Sequence, residues 1–262
     1  MARGAWPRRG VRTSLPVAVV RRKVAEDFSP TQISGLKLWL DVANTSSLTF
    51  NGSTVSQVND LSGNGFHATQ GTANNQPTYQ ATGANGKPTL FIDSTDTLTS
   101  TATVADYVLT PTTNPITTIM YVGYMPTLAN SGNITFGSDS QANGRFFLSL
   151  FFGGATMFLD VANASGGRLS ATLSASDFTS PVVLTVLRHG ATMRVRRNGV
   201  TIASKTNASG NYSTTTAAFR VPESTTSQQY LSELLAYQAA LSDSEIATAE
   251  RGLGKKWGIT VA

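Results

Sequence analysis

Residues 193–204 read MRVRRNGVTIAS, and this stretch decides the local architecture of the chain. Apolar and polar side chains alternate around Asn198-Gly199, as they do along strands with one covered face. Asn-Gly supplies the positive φ angles that a tight type I′ turn requires. The stretch therefore predicts an antiparallel hairpin formed by residues 193–197 and 200–204.

Further strand-forming runs lie on the N-terminal and C-terminal sides of this hairpin, separated by clusters of Gly, Asn, Pro and Ser. Ser and Thr account for 63 of the 262 residues and charged residues for only 13%, which suits strands with polar outer faces. Many short strands with turn signals between them are typical of an antiparallel sandwich or jelly roll. The predicted strands are residues 36–40, 89–93, 117–124, 146–152, 156–161 and 182–187, with residues 217–221 and 230–237 as a further pair.

One helix is predicted, at the C-terminal end of the chain. Ser242 and Glu245 have the spacing of a capping box, and Asp243 adds negative charge at the positive end of the helix. An apolar stripe follows at helical spacing, so we expect this helix to pack against the sandwich. The stripe consists of Ile246, Ala249, Leu253 and Trp257.

Several segments, taken in order, resemble the concanavalin A-like, laminin-G-type jelly rolls of bacterial surface proteins and phage structural proteins. They are residues 35–41 (GLKLWLD), 58–68 (VNDLSGNGFHA) and 86–93 (GKPTLFID), followed by the 193–204 hairpin and the ending at residues 231–257. Val58 stands where that family has Trp. The resemblance covers residues 35–259 and implies an all-β, two-sheet antiparallel sandwich with one C-terminal helix. It does not decide the function, because one fold carries lectins, glycan hydrolases, adhesins and structural modules.

Positive charge is concentrated at the N-terminus. Residues 1–25 contain seven basic side chains and no acidic one, whereas residues 26–262 contain 13 basic and 15 acidic residues, a net charge of 13 − 15 = −2. We therefore predict an extended basic arm over residues 1–28 and a sandwich domain over residues 29–262. The domain has no basic surplus for nucleic acid, so the predicted partner-binding residues are those of the arm. They are Arg3, Arg8, Arg9, Arg12, Arg21, Arg22 and Lys23.

The chain offers no sequence signal for membrane insertion or disulfide formation. Residues 13–20 form the longest uncharged run of the arm, which Pro16 interrupts well before the ~20 apolar residues of a spanning helix. Arg21-Arg22-Lys23 stands where a signal peptide has small residues, and the prolines disfavour the amphipathic helix of a transit peptide. The sequence contains no Cys, which excludes a disulfide framework and thiolate metal sites.

Catalytic patterns are absent from the sequence. A glycoside hydrolase on this fold would need two carboxylates facing one sugar, and these often alternate along a strand. No acidic strand of this kind occurs, and no G-x-S-x-G elbow or zinc-ligand cluster accompanies the two histidines. We expect no enzymatic activity, no catalytic residue, no cofactor and no metal. The closest acidic pairs are Asp93/Asp96 and Asp243/Glu245, and the histidines are His67 and His189.

Two features of the loops leave alternatives open. Asp60 and Asn64 offer oxygen ligands that suit Ca²⁺, but residues of this type more often hydrogen-bond their own turn, which is the interpretation we favour. Phe66, Tyr79 and Tyr107 have side chains that stack on sugars when exposed. Scattered aromatic residues more often complete a core.

The leading functional hypothesis is a non-enzymatic virion structural protein of a phage, anchored through its arm. Its role would be capsid decoration, cement, or attachment to the head or tail, and its location the particle surface. The expected partners are other virion proteins and further copies of the chain. The alternative is a carbohydrate-binding adhesin or lectin-like module that contacts a host-surface glycan, and a hydrolase is the least favoured reading.

Overall fold

The computed structural model describes Met1 and residues 27–93, 95–125, 135–138, 146–149, 156–161, 165–212, 216–222 and 228–262. These residues form antiparallel strands, two α-helices and short 3₁₀ turns. The strands are β1 (Leu36–Asp41), β2 (Leu48–Asn51), β3 (Thr54–Val58), β4 (Ala68–Thr69), β5 (Thr78–Ala84), β6 (Lys87–Ile92), β7 (Leu98–Thr103), β8 (Ile116–Tyr124), β9 (Thr135–Ser138), β10 (Phe146–Ser149), β11 (Thr156–Val161), β12 (Arg168–Thr172), β13 (Val182–His189), β14 (Thr192–Arg197), β15 (Val200–Lys205), β16 (Ala218–Val221) and β17 (Gln229–Tyr237). The helices are α1 (Val104–Tyr107) and α2 (Asp243–Trp257).

The strands pack in two layers, which confirms the predicted all-β sandwich. The front sheet runs β15-β14-β13-β8-β17, and the far edge of β17 pairs with β6 along its first residues and with β1 along its last. Strand β5 continues the front sheet beyond β6. The back sheet runs β2-β3-β4-β7-β16-β9-β10-β11-β12. A single pairing of Thr54 with Thr78 joins the two layers.

The central strands of the front sheet are covered on both faces. On β8, Ile119 and Tyr121 belong to the core between the sheets, whereas Met120 and Val122 belong to a second core under α2. Strands β13 and β17 divide their side chains between the two cores in the same way. Because successive side chains of a strand point to opposite faces, strands buried on both sides become continuous apolar runs in the sequence.

Helix α2 begins at the capping box that the sequence predicts. Ser242 and Glu245 form the capping box, in which the Ser242 amide donates to the Glu245 carboxylate at 2.8 Å. The predicted stripe of four apolar residues is buried against the front sheet. Gly252 gives room for the ring of Phe28, since a Cβ atom there would overlap that ring. At the C-terminal end, the side-chain amide of Asn85 donates to the carbonyl oxygens of Trp257 and Gly258 at 3.0 and 3.1 Å.

Predictions that depend on neighbouring residues match the structure better than the predicted pairing of two distant strands. The Asn198-Gly199 turn has φ angles of 48° and 86°, and it joins β14 to β15 as predicted. The predicted pairing of residues 217–221 with 230–237 is wrong. Strand β16 pairs with β7 and β9 in the back sheet, whereas β17 lies in the front sheet between β8 on one side and β1 and β6 on the other. Local strand signals carry no information on which distant strand is the partner.

The predicted arm lies almost entirely outside the described residues, and so do its seven basic side chains. The division into an arm and a domain therefore stays a prediction. Phe28 packs on α2, and Asp27 forms an ion pair of 2.6 Å with Lys255. Within the described part of the chain, no helix is long and apolar enough to cross a membrane.

Replacement of Trp257 by Ala tests the docking of α2. The side chain is 0% exposed, so its removal leaves a large cavity and should lower the free energy of unfolding by about 3–5 kcal/mol. Urea denaturation measures this loss. Val200→Ala, at a side chain 54% exposed, is the control and should change the value by less than about 0.5 kcal/mol. Equal unfolding free energies for the two variants would contradict the docking.

Candidate functional site

Three aromatic side chains lie side by side across neighbouring strands of the front sheet. Tyr230 on β17 is directly paired with Phe91 on β6 and with Tyr124 on β8. The rings of Tyr124 and Tyr230 stack with centroids 4.2 Å apart and planes 3° apart. The Phe91 ring lies 5.1 Å from that of Tyr230, at an angle of 42°. We call these three residues the aromatic ladder.

The aromatic ladder lies on the outer face of the front sheet. Leu90 and Ile92 on β6 point into the core between the sheets, so Phe91 points outward. On β8, Val122 belongs to the core under α2, and Tyr124 two residues later shares its face. All three ladder side chains are partly exposed. The ladder is therefore the part of this face that α2 does not bury.

Two residues beneath the ladder fix the position of Tyr230. The hydroxyl group of Tyr121 donates to the carbonyl oxygen of Tyr230 at 2.5 Å. Burial raises the pKa of Tyr121 well above its ordinary value, so the phenol keeps the proton that it donates. Gly123 leaves space for this contact, because a Cβ atom there would collide with the Tyr230 carbonyl and the Tyr121 ring. This hydrogen bond joins the buried side chain of Tyr121 to the backbone of β17 and so holds the Tyr230 backbone in position.

Polar groups accompany the rings. Burial raises the pKa of Tyr124, and the adjacent Tyr230 phenol with its hydrogen bond raises it further. Asp93 follows the end of β6, two residues after Phe91, and its Oδ1 accepts hydrogen bonds from the amide and hydroxyl of Thr95 at 2.8 and 2.9 Å. The ladder thus combines apolar ring surface with phenol hydroxyls, while the Asp93 carboxylate is engaged in its own turn. Such a surface suits a ligand with both apolar faces and hydroxyl groups.

Asp60 organises its own loop, as the turn interpretation predicts. Its Oδ1 accepts hydrogen bonds from the amides of Trp39 and Ser62, both at 2.9 Å. Its Oδ2 accepts from the Ser62 hydroxyl at 2.7 Å and from the Phe66 amide at 3.0 Å. Asn64 uses its side-chain NH₂ on strand carbonyls instead of presenting it to a ligand. In the described ranges, no group of three or more His, Asp or Glu residues is placed to hold a metal ion.

The two histidines have separate structural roles. Nδ1 of His67 accepts a hydrogen bond from the amide of Asp60 at 3.0 Å. His189 is the last residue of β13. Its Nε2 lies 2.8 Å from the hydroxyl of Thr118, and burial followed by the charge of Arg194 lowers its pKa to about 4.

The structure brings together two carboxylates that the sequence analysis missed. Asp41 and Glu233 are directly paired between β1 and β17, and the ammonium group of Lys256 bridges them at 2.8 and 2.7 Å. The indole N–H groups of Trp39 and Trp257 donate to Glu233 at 2.8 and 2.6 Å. We call Asp41, Glu233 and Lys256 the carboxylate–lysine triad. The acidic pairs identified in the sequence are instead a turn and a helix cap.

The aromatic residues singled out in the sequence are not those of the ladder. Tyr107 is 0% exposed, while Phe66 and Tyr79 pack at the margin of the core between the sheets. The ladder residues all lie in or next to predicted strands, but only the strand order places them together. One signal for the ladder was available in the sequence: several predicted strands carry an outward-pointing aromatic residue at one end.

Comparison with known proteins shows the fold. No protein-family model matches the chain, and no curated protein sequence matches it. The binding domain of Paraclostridial Mosquitocidal Protein 1 superposes with a TM-score of 0.61 at 16% identity, over 86% of this chain and 55% of that one. The botulinum neurotoxin serotype G binding domain gives 0.61 at 13% identity, over 86% and 54%. The chain thus spans about half of these binding domains.

A third similar structure has a length close to that of the present domain. Domain 4 of AbnA, a GH43 extracellular arabinanase from Geobacillus stearothermophilus solved in complex with arabinotriose, superposes with a TM-score of 0.55 at 16% identity. The match covers 82% of this chain and 97% of that domain. The neighbours share the all-β sandwich, and the phage context of the sequence resemblance stays a prediction.

The environment of His189 predicts a loss of stability in acid. Its pKa is about 6.5 in an unfolded chain and about 4 in the fold, so protons bind preferentially to the unfolded state between these values. The neutral ring should therefore contribute roughly 2 kcal/mol above pH 6.5, after allowance for solvent screening, and lose it as the pH falls to 4. His189→Gln keeps a donor for Thr118 but does not titrate. Urea denaturation at pH 7 and pH 4 should show a smaller loss in this variant, and equal losses would refute the assignment.

Proposed function

We propose that the domain is a non-catalytic carbohydrate-binding module and that the aromatic ladder is its ligand-contact surface. The observation that carries the proposal is the row of three touching aromatic rings on a partly exposed sheet face. It corresponds to the alternative function that the sequence left open.

The chemistry of the ladder suits a glycan. A sugar ring has apolar C–H faces and a polar hydroxyl rim, and an aromatic ring with a phenol group offers the matching pair of surfaces. Tyr side chains also lose little conformational entropy on binding because they have only two rotatable angles. In the ladder the Tyr230 ring is held between the other two rings. Most of its conformational entropy is therefore lost when the chain folds and not when a ligand binds.

The structural neighbours support a binding role. Two of them are described as binding domains of protein toxins, and the third was solved in complex with arabinotriose. They fit a glycan-binding module better than a virion structural protein. The virion hypothesis depends on the basic arm, whose residues lie outside the described ones, and it stays a prediction.

The arrangement of the carboxylates supports a non-catalytic role. Glycoside hydrolysis needs two carboxyl groups on either side of a bound sugar, each able to reach it. Asp41 and Glu233 are 7% and 1% exposed and share one lysine. Their hydrogen bonds and burial make them part of the packing between α2 and the front sheet instead.

Replacement of Tyr124 by Ala tests the proposed site. Loss of the stacking surface should weaken binding about tenfold or more, which corresponds to about 1.4 kcal/mol. The wild-type chain is first screened on a panel of immobilised neutral and acidic polysaccharides that includes arabinan. Calorimetric titration with an oligosaccharide of the bound polymer, arabinotriose in the case of arabinan, then compares the variants.

Phe50→Ala is the matched control. Phe50 is an aromatic residue 44% exposed that contacts Tyr79. Tyr79 pairs with Leu90 and packs on the core side of the sheet, opposite to Phe91, so removal of the Phe50 ring should leave the affinity unchanged. The proposal fails if no polysaccharide of the panel binds, or if Tyr124→Ala binds as tightly as the wild type.

The non-catalytic assignment has its own measurement. Incubation of the chain with each bound polysaccharide should release no reducing ends above the background without protein. Release that disappears on replacement of one carboxylate, such as Asp93→Asn, would make the domain an enzyme and contradict the assignment.

A further inference from the structure

The carboxylate–lysine triad places an amine against a buried carboxyl group. Nζ of Lys256 lies 2.8 Å from Oδ2 of Asp41, one bond away from the carboxyl carbon. The other oxygen, Oδ1, accepts a hydrogen bond from the amide of Ala43 at 3.0 Å. Glu233 completes the group, with Oε2 at 2.7 Å from the same amine. Nucleophile, electrophile and a proton acceptor are thus in contact.

The triad is largely removed from water. Glu233 is 1% exposed, and two indole N–H groups fix the orientation of its carboxylate. The Lys256 amine lies 5.3 Å from the centroid of the Trp257 ring, so apolar aromatic surface flanks the site. The side chain of Lys256 is 35% exposed, which leaves an exit for a released water molecule.

We propose that Lys256 and Asp41 form an intramolecular amide bond, with Glu233 as the proton relay. The geometry supports this modification, which is independent of the proposed glycan binding and uses none of the ladder residues.

The reaction is a condensation that balances without a co-reactant. Glu233 accepts a proton from the Lys256 ammonium group and passes it to Oδ2 of Asp41, and the free amine attacks Cγ of the neutral carboxyl group. The Nζ–Cγ bond forms while the Ala43 amide stabilises the negative charge that develops on Oδ1. Glu233 then takes a second proton from the nitrogen and delivers it to Oδ2, the Cγ–Oδ2 bond breaks, and Oδ2 leaves as water. Burial and the charge of Asp41 raise the pKa of Glu233, which helps this carboxyl group to hold a proton between the two steps.

Two physical effects favour the product. Amine and carboxyl are held in contact by the fold, and well-oriented intramolecular reactions reach effective concentrations of about 10⁵–10⁸ M. The reaction also replaces a buried ion pair by a neutral amide and so removes the desolvation cost of two charges. Glu233 keeps its two indole donors throughout.

The bond would join the first strand of the front sheet to the last turn of α2. Asp41 ends β1 and Lys256 lies one residue before the end of the helix, so the cross-link would close a loop over most of the domain. Closing a long loop removes conformational freedom from the unfolded chain. The segments of β1 and α2 would then remain covalently joined even when the chain is unfolded.

Intact-mass measurement of the purified full chain tests the proposal. The wild type should weigh less than its sequence by one water molecule, before and after denaturation. Proteolytic mapping should give one linked peptide that contains Asp41 and Lys256, with no cleavage by trypsin after Lys256. Lys256→Arg keeps the positive charge but cannot supply a free amine, so it should have its full sequence mass.

Glu233→Gln separates the reaction from folding. It keeps one acceptor oxygen, and so one of the two indole hydrogen bonds, but removes the relay. The variant should be folded by circular dichroism and lack the mass deficit. A wild-type chain that is folded and has its full sequence mass would overturn the proposal. So would a mass deficit that persists in both Lys256→Arg and Glu233→Gln.

Discussion

The central strands β8, β13 and β17 of the front sheet must be buried on both faces, and the rest of the structure depends on this constraint. One face packs against the back sheet and the other against α2. A slip of one residue in the register of β8 would exchange Met120 and Val122 for Ile119 and Tyr121 between two cores of different shape. Both cores therefore help to fix the same register. Removal of the helix would expose the apolar side chains that these strands carry under it.

Charged groups determine where the helix sits on this apolar face. Near the start of α2, Asp243 meets Arg194 at 2.5 Å, and in its middle the fully buried Glu250 meets Arg196 at 2.9 Å through both carboxylate oxygens. At the end, Lys256 reaches the carboxylates of β1 and β17. An apolar stripe alone would tolerate sliding along the sheet, whereas these pairs are satisfied in one position only. Because burying ions is costly, we interpret them as determinants of position more than as sources of stability.

Features set by neighbouring residues could be predicted from the sequence. The capping box of α2 and the Asn198-Gly199 turn depend on residues a few positions apart, and both have the expected form. A Gly inside a helix is ordinarily unfavourable, and the packing of Gly252 against Phe28 could not be predicted because it comes from a segment far away in the sequence. The same limit hid the contact of Asp41 with Glu233, which exists only once β1 pairs with β17.

The ladder shows this limit most clearly. Each of its residues lies in or beside a strand that the sequence predicts, and alternation along β8 and β6 assigns each side chain to a face. Neither pattern indicates that β17 lies between β6 and β8, and this order alone brings Phe91 and Tyr124 to either side of Tyr230. Aromatic residues scattered in the sequence thus become one surface through topology.

The change of residue type along β8 marks the edge of the helix cover. Under α2 the outer face of this strand carries Met120 and Val122, which are fully buried and have no polar atom to satisfy. Beyond the cover the same face carries Tyr124, which pairs an apolar ring with a hydroxyl group. Strand β17 carries Leu235 and Tyr237 under the helix, where the Tyr237 hydroxyl donates to the Pro30 carbonyl, and Tyr230 beyond it. Amphipathic aromatic residues suit a surface that is partly wet when free and becomes covered when a ligand binds. The two stacked phenols at this boundary agree with the ligand-contact role proposed for the ladder.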